Sequence, residues 1–191
     1  LVHDFVREHP EVTVSLDLSD RVVDLLNENM DCAVRIGVLP DSSLVGVKLA
    51  DNQRLVVATP TYLQRHGSPQ HPLELAKHNC LNLVSSGAPS GWLFTINGEA
   101  TPIRVSGSLA CNDGSSILDW ALNNAGLAWR SRWEVQQYLR SGSLVTVLDD
   151  FIAPPNAIYA VFPQRKHLPL RVRLWIDFLK HRYSIESYWN T

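Results

Sequence analysis

The chain has 191 residues, 45% of them hydrophobic and 19% charged, enough to bury a sizeable core and too apolar for a disordered tail. A formal net charge of -2 and a pI near 6.4 exclude the strongly basic footprint of a nucleic-acid-binding module. Cys32, Cys80 and Cys111 are odd in number and far apart, which excludes a disulfide framework and a CxxC metal motif and points to small core residues of a reduced, cytoplasmic protein. No lipid-anchor motif, secretion signal or apolar run of membrane-spanning length is present, so no membrane partner is expected.

Residues 1–9 read as the tail of a helix with Val2, Phe5 and Val6 on one face, ended by Pro10. Val12, Val14, Leu16 and Leu18 alternate with polar residues, the pattern of a half-buried strand. Residues 21–29 read as a helix capped by Asp20, with Val22, Leu25 and Leu26 inward. Strands are predicted at 32–36 and 54–58, with an extended stretch between them. Thr59-Pro60 then opens a helix that Gly67 closes.

From Ser68 the texture changes. A short amphipathic helix in SPQHPLELAKHNC leads to a strand at 80–84, then to a strand pair at 92–97 and 103–109 around Asn97-Gly98. Asn112 and Asp113 precede a helix with Leu118, Ala121, Leu122 and Ala125 on one face and Gly126 at the C′ position. A short strand at 127–130 is followed by the capping box Ser131-x-x-Glu134, a helix ending at Gly142, and a strand at 144–148. Residues 157–162 are six consecutive apolar residues, the signature of a central strand. The last helix starts near Pro169 and carries the stripe Val172, Trp175, Ile176 and Leu179.

The alternation of strands and helices, interrupted once in texture, predicts an α/β protein of two Rossmann-like subdomains with a ligand cleft between them. The first would comprise 1–67 plus 157–191 and the second 68–156, so the chain would cross twice. In open α/β sheets, ligands bind beyond the carboxyl ends of strands. That rule selects Arg35, Ile36 and Gly37, where a cationic fork sits beside a glycine turn, and Ser85 and Ser86, which offer hydroxyls after a strand. It also selects Asn112, Asp113 and Gly114 at a helix N-terminus, and Trp129 and Arg130 after a strand, a ring to stack on and a cation for an acid. Each has a plainer reading: loop tying for Arg35, capping for Asp113, a flexible loop for the serines, core packing for Trp129. The seven histidines form no HxH or HExxH pattern, and there is no GxSxG elbow or glycine-rich phosphate loop, so no metal, cofactor or catalytic residue is expected.

The ordered landmarks VDLLNENMDCAVRIG, DSSLVGVKLA, VVATPTYLQRHG, PLELAKHNCL, WLFTINGE, GSLACND, NAGLAWRSRWEVQQYLRSGSLVTVLDDF and AIYAVFPQRKHLPLRVRLWIDFL resemble the effector-binding (regulatory) domain of LysR-type transcriptional regulators. The resemblance spans essentially the whole chain. It implies a two-lobed fold like that of the type II periplasmic binding proteins, holding a small-molecule effector, an organic or aromatic acid, in the cleft. It also implies a homodimer or homotetramer, with the 12–29 unit of one copy against the 115–125 helix of another. The turns at Arg35–Gly37 and Trp129–Ser131 border the cleft in that family. Operator DNA would be reached only through a winged helix-turn-helix domain lying N-terminal to this region, which this fragment lacks together with the first strand of the regulatory domain. A solute-binding protein of the periplasmic type shares the implied fold and is the alternative. An α/β enzyme is a third reading, opposed by the lack of a nucleophile–base set.

Overall fold

The computed structural model describes residues 1–19, 24–37, 44–84, 91–164, 168–185 and 189. The chain divides into two compact units. One is built from Leu1–Leu18, Val23–Asn52 and Asn156–Thr191, and the body of the other is Gln53–Pro155.

The first unit has a three-stranded antiparallel sheet in the order β1 (Ala33–Ile36), β10 (Asn156–Pro163), β2 (Leu44–Asn52). The apolar run expected to be a central strand is the middle strand of this sheet, with Ile158, Ala160, Val161 and Phe162 buried. Helices α1 (Val2–Glu8) and α5 (Leu170–Ser184) contribute to one core. Phe5 meets Trp175 and Phe178 edge-on at 4.9 and 5.4 Å, and Val172, Ile176 and Leu179 of the predicted stripe are buried. Arg182 bonds Glu8 at 3.0 Å and so ties the two helices on their exposed side.

The second unit has a mixed five-stranded sheet: β7 (Ala110–Cys111), β4 (Cys80–Leu83), β8 (Leu127–Ser131), β3 (Arg54–Ala58), β9 (Val145–Val147). β7, β4 and β8 are parallel, and β3 runs antiparallel to β8 and β9. α3 (Gly114–Leu122) and α4 (Arg132–Ser141) share a core with one face, where Leu55, Val57, Leu81, Ile117, Ala128 and Val135 are buried. On the other face Val56, Ala58, Tyr62, Cys80, Trp92, Phe94 and Leu127 form a second core. It includes the hairpin β5 (Trp92–Ile96) and β6 (Glu99–Ile103), α2 (Pro60–His66) and a 3-10 turn at Pro72–Lys77.

Several local expectations are corrected. β3 pairs with β8 and β9, so residues 54–66 belong with the second unit, and the step between units falls at Asn52–Gln53 rather than near Gly67. Residues 12–18 are not a strand: no ladder includes them, and Val14, Leu16 and Leu18 are 36%, 59% and 84% exposed. The helix expected at 21–29 is, over its described residues, a turn in which the Asp24 carboxylate accepts from the backbone N–H groups of Leu26 and Asn27, both at 3.1 Å. Its expected cap, Asp20, lies outside the described residues. The second hairpin strand starts directly after the Asn97-Gly98 turn, whose φ values of 53° and 83° suit a type I′ turn, and it ends at Ile103 rather than spanning 103–109. α3 ends at Leu122, so Gly126 is not its C′ residue. It is glycine because a Cβ there would stand 2.2 Å from the Asn79 carbonyl oxygen.

Candidate functional site

The parallel strands of the second unit end on one side of its sheet, and of the sequence-selected residues Asn112, Asp113, Gly114 and Arg130 lie at those ends. β7 runs through Cys111 into Asn112 and Asp113, and Asp113 caps α3. The Asp113 carboxylate accepts from the Ser116 N–H at 2.6 Å and the Ser115 hydroxyl at 2.8 Å. Those donors hold its pKa below the ordinary carboxylate value, the Ser116 N–H contributing most. Asn112 and Asp113 are exposed. Ser85 and Ser86 follow β4 in the chain but lie outside the described residues.

Gly114 and Arg130 meet. Arg130 is 6% exposed, and a Cβ on Gly114 would stand 2.1 Å from its Nη2. Only glycine lets the guanidinium lie against the first turn of α3. A buried cation beside the positive end of a helix needs a counter-charge, and Glu134 supplies it: its Oε1 accepts from Arg130 Nη2. The other oxygen of the same carboxylate accepts from the Ser131 N–H at 2.9 Å and so takes part in the predicted capping box of α4. One glutamate therefore serves both helices. Among the described residues the Arg130 Nε has no hydrogen-bond partner.

Trp129 is not part of this group. Side chains alternate along a strand, so Trp129 and Arg130 leave β8 on opposite faces. Trp129 packs with the Val56–Phe94 core, and the Arg54 guanidinium lies 4.6 Å from its ring centroid. It borders a cavity of about 10 Å³, the room of a single water.

In the first unit, β1 ends at Ile36, which is 37% exposed, and Gly37 turns the chain with φ 98°. The Gly37 N–H donates to Ala157 O at 2.9 Å, pinning the turn to the start of β10. Arg35 faces Tyr159 in the ladder and is half-buried. Beside this turn, Asn52 Nδ2 donates to Asn156 Oδ1 at 2.9 Å, and Asn52 is 3% exposed, its own Oδ1 without a partner among the described residues. This amide pair was not anticipated. Nor was Asn79, which accepts on Oδ1 from the Ser108 N–H, donates from Nδ2 to Ala125 O, donates its N–H to the Tyr62 hydroxyl and accepts from the Leu127 N–H. Four bonds from one asparagine explain why loops at 106–108 and 125–127 sit tightly on the start of β4. A single polar residue before a strand carries no periodicity that would announce this.

Among the described residues no group of three or more His, Cys, Asp or Glu could hold a metal, and no helix is long and apolar enough to cross a membrane. Burial pushes the Cys32 and Cys80 thiols up to about 12, so neither is a thiolate nucleophile.

Residues 1–184 match the family model described as the LysR substrate binding domain. The chain is 35% identical over 185 residues to the HTH-type transcriptional regulator DmlR of Escherichia coli K12, covering 96% of this chain and 60% of that protein. It is 34% identical over 180 residues to the HTH-type transcriptional activator TtdR of the same strain, covering 93% and 57%. The chain thus spans about three fifths of the length of these relatives. The regulatory domain of CrgA, a LysR-type transcriptional regulator from Neisseria meningitidis, superposes with TM-score 0.80 at 28% identity over 96% of this chain and 90% of that one. Full-length CrgA gives 0.83 at 28% over 97% and 63%. These relatives are regulators and not enzymes, and their fold is the α/β, type II periplasmic-binding-protein-like one. By sequence along nearly its whole length and by fold, the chain belongs to the LysR-type transcriptional regulators, as their substrate-binding domain.

Proposed function

We propose that this chain is the effector-sensing module of a cytoplasmic DNA-binding regulator. It takes up a small organic or aromatic acid at the strand-end residues, self-associates as a dimer or tetramer, and acts on operator DNA through a winged helix-turn-helix domain elsewhere in the protein. The observation that carries this reading is the unbroken match of residues 1–184 to the LysR substrate-binding domain. The strand-end geometry supports it: Asn112 and Asp113 stand exposed where β7 meets α3, next to the Gly114–Arg130 contact. Arg35, Ile36 and Gly37 supply a second strand-end turn, Ser85 and Ser86 are proposed from the sequence alone, and Trp129, packed on the opposite sheet face, drops out of the set. The effector shifts the equilibrium between two arrangements of the assembled regulator, and no bond is made or broken. The apolar side chains exposed at Val14, Leu16 and Leu18 support self-association through that stretch.

The test is thermal unfolding of the chain with a panel of organic and aromatic acids. A subset should raise the midpoint, and Arg35→Ala and Asn112→Ala should each remove most of that rise. If no acid raises it, or if every rise survives alanine at all of Arg35, Ser85, Asn112, Asp113 and Arg130, the reading fails.

A further inference from the structure

The second unit carries an open groove of about 500 Å³ on the α4 side of its sheet, at the β9 edge. That volume lies inside the range of about 300–1,000 Å³ found for small-molecule pockets. Its lining is mostly apolar: Leu55 of β3, Leu139 of α4, and Leu144, Val145 and Ile152, with Thr146 and Asp149 beside them. Arg132, the first residue of α4, also lines it. It is exposed, and no ion pair joins it to an acid among the described residues. Asp149 also borders the groove; it accepts from the Thr146 hydroxyl at 2.7 Å and keeps its negative charge. Arg132 and Leu139 are seven residues apart, so they share one face of α4, about 10 Å apart along its axis. The groove thus offers one cation at the start of a helix and an apolar trough leading away from it for two turns.

We propose that this groove is a second ligand site, for an amphipathic monocarboxylate whose carboxylate pairs with Arg132 and whose unbranched apolar tail lies over Leu55, Leu139 and Ile152. Charge and length select this occupant. At the start of α4 Arg132 takes the carboxylate, whereas a compact diacid would leave the apolar trough uncovered and set its second carboxylate in the groove that Asp149 borders. The site shares no residue with the strand-end set proposed for the effector, so the two readings stand or fall separately.

Octanoate is the probe, followed by calorimetry and by amide chemical shifts of the full chain. Binding should perturb the amides of residues 132–146. Arg132→Gln should weaken it about tenfold, the loss of one charge-assisted contact, and Leu139→Gln should weaken it too. Octylammonium should not bind. Lys180→Gln, on the exposed face of α5 in the other unit, should leave octanoate affinity unchanged. The proposal is overturned if octanoate does not bind at millimolar concentration, if Arg132→Gln binds it as well as the parent chain does, or if the shifts centre on Asn112–Ser116. It is overturned equally if the parent chain self-associates and Leu139→Gln abolishes that association, since the groove would then be covered by a second copy. A folded Arg132→Gln variant, verified by its unfolding midpoint, keeps the comparison valid.

Discussion

Residues 110–142 and residues 11–30 carry sequence signals of similar strength, and the structure treats them oppositely. Each has an apolar alternation, a capping residue and a helical spacing. In the first stretch nearly every signal is realised: Asp113 caps α3, Ser131 and Glu134 close the capping box, and Gly142 ends α4 in the left-handed conformation with φ 73°. In the second, Val14, Leu16 and Leu18 alternate without a ladder, and Asp24 organises a turn. The difference is tertiary. α3 and α4 have a sheet face to cover, with Ile117, Ala121 and Val135 at most 1% exposed. Periodicity states which face a segment can bury. It does not supply the surface that buries it: Leu25 finds one and is 2% exposed, whereas Val14, Leu16 and Leu18 stay in water.

The sharpest way to break this contrast is to cut the Arg130–Glu134 ion pair that serves both helices. Glu134→Ala leaves Arg130 buried against the α3 N-terminus with no counter-charge and removes half of the α4 capping box. It should lower unfolding free energy in urea by about 3 kcal/mol. Glu134→Gln keeps the hydrogen-bonding shape and should lose less. If Glu134→Ala unfolds with the parent chain, the pairing is not what seats α3 on β8.

That pairing also marks the limit of what the sequence makes legible. Ser131-x-x-Glu134 is readable because both partners lie within one helical turn. Gly114 opposite Arg130 is not, since it depends on β7 and β8 flanking β4 in one sheet. The central strand β10, the stripe of α5 and the helix starts at Thr59 and Asp113 were all legible from local spacing. The wrong assignment of 54–66 has the same origin as the missed contact: β3 is an apolar run that could pair anywhere, and only its ladders to β8 and β9 place it. For the candidate site, residue types and strand ends were readable, whereas the divergence of Trp129 from Arg130 required knowing that β8 continues through both.

A smaller effect tests the other face of the same sheet. His78 Nδ1 lies 3.4 Å from the Tyr62 hydroxyl, which also accepts from the Asn79 N–H. Burial, aided by nearby His66, lowers the His78 pKa below its ordinary value of 6.5. In the window between the folded value and 6.5, the unfolded chain binds more protons, so stability falls as pH drops through that window and levels off beneath it. The urea midpoint should decline from pH 7.5 to 5.5, and His78→Gln should decline less. Equal slopes for both would mean that His78 titrates freely and that this face is looser than the α3–α4 face.

The smallest expected effect returns to residues 11–30. Leu18 is 84% exposed and Leu16 59%, so neither contributes apolar burial to its own chain. The double substitution Leu16→Ser and Leu18→Ser should therefore change unfolding free energy by no more than about 0.5 kcal/mol, the range of surface positions without special contacts. Self-association is a separate readout, and sedimentation at increasing concentration should show the variant less associated than the parent. The two measurements together decide what the alternation is for. A loss of about 2 kcal/mol in the dilute, monomeric variant would mean that these leucines are buried within their own unit, and that the contrast with 110–142 is one of degree. An unchanged stability with weakened association would mean that the strand pattern is written for a surface that another copy provides.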